Sequence, residues 1–122
     1  MIFISKNEKD EPAWKLILEG RKTVTRRLKP IVIGKSIAVC PGRGKKAVCR
    51  ILTISCEPSM SYFRRTCPMD KVKQWKQMEA ELEGFESWDG LMKWFEKHKI
   101  QFAETFRIEF ESETEVSNSP QG

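Results

Sequence analysis

The spacing of apolar positions changes several times along the chain, and each change predicts an element. Met1 to Ile4 is a short aliphatic and aromatic run, read as a strand. Glu11-Pro12 reads as a helix start, because proline is tolerated in the first turn. Trp14, Ile17 and Leu18 then fall on one helical face, and Gly20 suits the left-handed position that ends a helix. Thr23 to Leu28 has strand propensity and stops before Pro30. Ser36 to Cys40 and Ala47 to Cys56 read as two more strands, joined as a hairpin through Pro41-Gly42-Arg43-Gly44-Lys45-Lys46.

The second half turns helical. Pro68 opens a segment in which Met69, Val72, Trp75, Met78 and Leu82 recur every three or four residues, interrupted by Glu83-Gly84-Phe85. Ser87 is placed to cap a third helix running to about Lys97, with Leu91, Trp94 and Phe95 as its apolar face. Trp75, Trp88 and Trp94 are read as core. Phe102 to Glu111 is read as a strand, since Phe106, Ile108 and Phe110 alternate with Arg107, Glu109 and Glu111. Strands predominate, with one helix early and two late. The expected class is α+β: a small barrel with helices across its openings. Residues 1–110 form one domain, and residues 111–122, polar and acidic, are read as a disordered tail.

Composition narrows this picture. At 122 residues, 39% hydrophobic and 32% charged, the chain suits one modest core. No apolar run approaches the length of a membrane span, and the N-terminus has the wrong flanks for a signal peptide, so the reading is cytoplasmic with no membrane partner. The net charge of +5 is unevenly distributed: residues 1–50 hold 13 Lys and Arg against 4 Asp and Glu. An anionic partner, RNA or a nucleotide, follows from that asymmetry. The four cysteines, Cys40, Cys49, Cys56 and Cys67, show no C-x-x-C spacing, and the single histidine, His98, lies far from them. Neither metal nor cofactor is expected. Cys40 and Cys49 are read as buried thiols in strands.

Three segments carry candidate chemistry. In Gly20-Arg21-Lys22-Thr23-Val24-Thr25-Arg26-Arg27, ammonium, hydroxyl and guanidinium groups crowd behind a helix end. Lys22 and Thr25 are three apart and face opposite ways in a regular strand, so they act together only if the chain turns after Gly20. Arg43, Lys45 and Lys46 sit among glycines in the hairpin loop, where backbone amides and cations can meet a phosphate. Ser61-Tyr62-Phe63-Arg64-Arg65 interleaves aromatics with Arg64 and Arg65, a composition that can stack on bases, and is otherwise a loop whose rings plug the core.

The stretch Ile17 to Arg27 resembles the signature of the ASCH family (activating-signal-cointegrator homology), small β-barrel domains related to PUA RNA-binding domains. Gly20, Lys22 and Arg27 match the family's G-x-K-x-x-E-x-R, with Thr25 in place of the glutamate. Ala80-Glu81-Leu82-Glu83-Gly84-Phe85 followed by Ser87 resembles the family's A-x-x-E-G-F segment. Threonine at the glutamate position is shared with a bacterial group of amidohydrolases that deacetylate 4-acetylcytidine using a lysine, a threonine and a glutamate. The resemblance therefore implies a PUA-like barrel and the catalytic set Lys22, Thr25 and Glu83.

The chemistry agrees with what amide hydrolysis needs: a nucleophile, a group that moves a proton, and stabilisation of the oxyanion. Thr25 supplies the hydroxyl. Lys22 serves as base if desolvation and neighbouring Arg26 or Arg27 lower its pKa, with Glu83 as acid; the two roles can equally be exchanged. Two readings stay open. One is a hydrolase acting on an acylated nucleoside such as 4-acetylcytidine. The other is a non-catalytic module binding RNA or a modified nucleoside through Arg21, Arg26, Arg27, Arg43, Lys45, Lys46, Arg64 and Arg65. Ribonuclease activity, also known in the family, ranks lowest because the chain has a single histidine.

Overall fold

The computed structural model describes residues 1–113. The chain runs α1 (Ala13–Leu18), β1 (Val24–Arg27), β2 (Ser36–Val39), β3 (Cys49–Pro58), α2 (Ser59–Thr66), α3 (Val72–Leu82), α4 (Trp88–Lys97) and β4 (Phe106–Ser112). The four strands form one antiparallel sheet in the order β1-β4-β3-β2. Among the described residues no helix is long and apolar enough to cross a membrane.

The sheet is open, which corrects the expected closed barrel. Met1 to Ile4 is not a strand: it makes a single parallel bridge, Ile2 to Cys40, beside the end of β2. The physical reason lies one step along the chain. The carbonyls of Phe3 and Ser5 turn away to accept hydrogen bonds from Trp14 N and Ala13 N (2.9 and 2.8 Å), satisfying free amides at the start of α1. With these carbonyls turned to α1, pairing of Met1 to Ile4 with β2 stops at that one bridge.

Two layers cover the sheet. Phe3, Ala13, Ile17, Ile37, Val39, Ile51 and Phe110 form one core between α1 and the sheet. Ala80, Leu91 and Phe95 form another, with Phe85, Trp88, Trp94 and Phe102 packed on it. In α1 the buried positions are Ala13, Leu16 and Ile17, while Leu18 is exposed, so the apolar face is rotated by one position from the expected one. Trp75 is buried, and Trp88 and Trp94 are partly so.

Several expectations hold locally. Gly20 has φ +77° and ends α1. The hydroxyl of Ser87 accepts from Gly90 N at 3.1 Å and caps α4. β2 and β3 form the expected hairpin. Others need correction. Ser61 to Arg65 is not a loop but part of α2, held by ring contacts of Tyr62 and Phe63 with Trp75 (6.1 and 5.1 Å). Phe102 to Glu104 is a 3-10 turn, and the last strand begins at Phe106. Pro68 likewise precedes a 3-10 turn, Met69–Lys71, before α3 begins. Cys40 and Cys49 are only partly buried. β4 runs past residue 110 to Ser112, and Glu113 accepts from Ser36 Oγ at 2.5 Å. The disordered tail expected beyond that lies at 114–122, outside the described residues.

The turn after α3 docks on the segment after α1 at Gly84. Its φ is +86°, and a Cβ there would lie 2.7 Å from Leu16 Cδ1 and 3.5 Å from Lys22 Cβ. Gly84→Ala is therefore expected to destabilise by about 1–3 kcal/mol, from left-handed backbone strain plus the Leu16 clash. A urea midpoint unchanged from wild type would contradict this.

Candidate active site

The turn the sequence required does form. After Gly20, the amides of Arg21 and Lys22 both donate to Leu16 O (2.8 and 3.1 Å), and Thr23 N donates to Leu82 O at 2.9 Å. This folds Lys22 inward. Its side chain is buried, and Nζ donates to the carbonyls of Val24 at 2.8 Å and Glu83 at 3.0 Å. Two of three ammonium donors are thereby used. Burial lowers its pKa to about 8; the Glu83 charge opposes that shift, and Arg27 and Arg26 add to it. A small open recess is lined by Gly20, Lys22, Thr23, Cys49 and Phe110 among others.

Beneath β1 and β4 lies a dry cluster of charges. Arg26 donates from Nε to Ser59 Oγ (3.0 Å), from Nη1 to Glu83 Oε2 (2.6 Å) and from Nη2 to Glu79 Oε1 (2.7 Å). Arg107, opposite it on β4, donates from Nε and Nη2 to the two oxygens of Glu79 (2.7 and 3.1 Å). Its Nη1 reaches Glu109 Oε1 at 3.0 Å. Ser59 Oγ also lies 2.7 Å from Thr105 Oγ1. Burial alone would raise the Glu79 pKa, but the bonds from Arg107 and Arg26 hold it below the ordinary carboxylate value. The side chain of Arg26 is 0% exposed, so this cation belongs to the interior and not to an RNA-facing surface.

The structure brings Lys22 and Glu83 together, but through the backbone carbonyl of Glu83; its carboxylate is held by Arg26. Thr25 is one place along β1 from Arg26 and so points to the opposite face of the sheet. There it aligns with Ile108 of β4 and Cys56 of β3. Thr25 is buried, and its hydroxyl makes no hydrogen bond to the described residues. Arg27, two places on, shares the Thr25 face. Its guanidinium lies 4.8 Å from the Phe3 ring centroid, and Nη2 is 3.4 Å from Ile2 O.

The remaining cations are peripheral. Arg21 is paired with Glu11 (2.8 Å) and Glu19 (3.2 Å), and Arg65 with Glu57. Arg43, Lys45, Lys46 and Arg64 are exposed and make no ion pair among the described residues. No group of three His, Cys, Asp or Glu there could hold a metal ion. Sequence reasoning missed Glu79 and Arg107. One signal was present: Trp75, Glu79 and Glu83 recur every four residues, placing two carboxylates on the buried stripe of α3.

An open antiparallel sheet with helices on both sides of the β1–β4 pair places the chain in the α+β class. No family model and no curated protein matches it. Among solved structures it is similar to protein EF3133 from Enterococcus faecalis V583, described as a DUF984 protein. The TM-score is 0.52 at 17% identity, over 92% of this chain and 78% of that one. This likeness concerns the fold alone.

Proposed function

We propose that the chain is an ASCH-type domain that binds a modified nucleoside and hydrolyses the amide of an acylated one such as 4-acetylcytidine. The observation that carries this reading is Lys22, a buried amine whose Nζ is held by the carbonyls of Val24 and Glu83 and whose pKa burial lowers to about 8. Thr25, buried and with its side chain making no hydrogen bond to the described residues, is the hydroxyl assigned to it. A lysine so placed can be neutral at mildly alkaline pH and take a proton. In this reading Thr25 Oγ attacks the amide carbon and its proton passes to Lys22. The C–N bond then breaks, and the Lys22 ammonium returns the proton to the leaving amine. Water cleaves the acyl-threonine ester, releasing the carboxylic acid and restoring Thr25. Glu83 acts by position: its carbonyl holds Lys22 Nζ, and its carboxylate fixes Arg26.

The test is incubation with 4-acetylcytidine, following cytidine release for wild type, Lys22→Ala, Thr25→Ala and Glu83→Ala. Wild type should turn over, and the Lys22 and Thr25 variants should not. Absence of turnover by folded wild type overturns the hydrolase reading. The unpaired cations Arg43, Lys45 and Lys46 on the β2–β3 connection favour a second reading, a non-catalytic RNA-binding module. Its mark is affinity for an oligoribonucleotide that falls steeply with salt, without turnover.

A further inference from the structure

The loop before α1 takes no part in the chemistry above, yet it is bonded to both sides of Lys22. Residues 6–12 are drawn shut by a bridge between Lys6 and Pro12 and by Asn7 N donating to Glu11 O at 3.1 Å. Asn7 is buried, and every donor and acceptor of its side-chain amide is used. Oδ1 accepts from Lys9 N and Glu11 N, each at 2.9 Å, which shapes the loop itself. Nδ2 donates to Glu11 Oε1 and, 77 residues along the chain, to Gly84 O, again each at 2.9 Å. The Glu11 carboxylate in turn takes two bonds from Arg21, at 2.8 and 2.9 Å.

These bonds close a ring on Lys22. Arg21 precedes it in the chain, and Gly84 follows the residue whose carbonyl holds Nζ at 3.0 Å. A Cβ at Gly84 would lie 3.5 Å from Lys22 Cβ, so the two backbones are in close contact. The Glu83–Gly84 turn is thus gripped from one side by Lys22 Nζ and from the other by Asn7 Nδ2, while Gly84 N is tied to Glu81 O at 2.9 Å. We propose that Asn7 is a positioning residue: by holding Gly84 it fixes the Glu83 carbonyl, and with it the place of the Lys22 amine. That this amine acts as a base rests on the reading above; that Asn7 holds its cage rests on the bonds alone. The ring also keeps water out. Without the Asn7 amide, the half-buried Gly84 carbonyl takes water instead, and water at that turn relieves the burial that chiefly lowers the Lys22 pKa. The Glu83 charge, which opposes that shift, and Arg27 and Arg26, which add to it, are left in place by the substitution.

The experiment follows Lys22 itself, by nitrogen NMR of the lysine side chains against pH, with its resonance assigned by its loss in Lys22→Met. Asn7→Ser keeps a side-chain oxygen for the loop but is too short to reach Gly84. In that variant Lys22 should hold its proton about tenfold more tightly, its midpoint moving from about 8 towards the ordinary 10.5. Arg21→Met opens the same ring at the surface and should move the midpoint the same way by less; it decides the matter if the serine variant does not fold. Leu91→Val, a truncation in the other core, is the control: it should melt lower than wild type and leave the Lys22 midpoint alone. In a turnover arm with 4-acetylcytidine at pH 8, Asn7→Ser should lose about tenfold in kcat with KM little changed, and its rate profile should follow the displaced midpoint. A Lys22 midpoint unmoved in folded Asn7→Ser overturns the proposal. So does a midpoint moved as far by Leu91→Val, since general loosening then accounts for it. A displaced midpoint in a protein that hydrolyses nothing upholds the role of Asn7 and removes the hydrolase reading instead.

Discussion

Glu79→Gln is expected to destabilise the protein by about 3–5 kcal/mol, the range found when one partner of a buried ion pair is removed. Arg26, Arg107, Glu79 and Glu83 form a neutral set with side chains 0–4% exposed. Glu79 accepts three of the bonds that hold it, one from Arg26 and two from Arg107. Glutamine preserves the shape and one acceptor oxygen but leaves an uncompensated positive charge in a dry interior. Against a total stability of about 5–15 kcal/mol, that loss takes the chain close to unfolding. The measurement is the shift in urea midpoint at constant slope. The double variant Glu79→Met with Arg107→Met provides the decisive comparison. It removes one charge of each sign, leaves Arg26 with Glu83, and should regain at least half of the loss. A double variant no more stable than Glu79→Gln would mean that the bonds themselves, not charge balance, hold β4 to α3.

What could be read from the sequence divides along the distance over which each feature is decided. Gly20 and Ser87 act within a turn of their own positions, and both punctuate helices as their chemistry requires. The alternation Phe106, Ile108, Phe110 describes one face of one strand, and it too was legible. The α2 helix was not, because only Ser59 of its residues is buried and its rings are organised by Trp75 in another helix. Closure of the sheet was equally out of reach. It turns on whether the carbonyls of Phe3 and Ser5 meet a strand or the start of α1, a choice no local pattern encodes. The candidate site shows the same division. The Gly20-Lys22-Thr25-Arg27 spacing marked the segment, but strand alternation sends Arg26 and Arg27 to opposite faces with opposite fates. Arg107 stood out only as a residue alternating with the apolar positions of its strand; its partner Glu79 lies 28 residues away. The four-residue recurrence of Trp75, Glu79 and Glu83 marks the carboxylates, but no local pattern names the arginines they meet.

Lys22 supplies the second large effect, and its sign can be worked out. Its pKa is about 8 in the folded protein against 10.5 for an ordinary lysine. Between these values the unfolded chain binds more protons than the folded one, so stability rises with pH across that window. Below about 8 both states carry the proton, and the folded state bears the full cost of a buried ammonium. The displacement corresponds to about 3 kcal/mol, accumulated between pH 8 and 10.5. Lys22→Met should lack this rise. The variant also leaves the Val24 and Glu83 carbonyls without their donor, so its stability at any single pH mixes two effects. The informative quantity is the slope of unfolding free energy against pH, wild type minus variant, because the rest of the chain is common to both. Equal slopes would show that Lys22 stays charged in the folded protein throughout that range. The same proton links stability to chemistry. If neutral Lys22 is the base, turnover of an acylated nucleoside should climb through pH 8 and level off, its midpoint falling where the stability slope of wild type first departs from that of the variant, since both mark the folded-state deprotonation. A rate profile whose rise falls elsewhere would detach the base from Lys22 even if the stability slopes differ as expected.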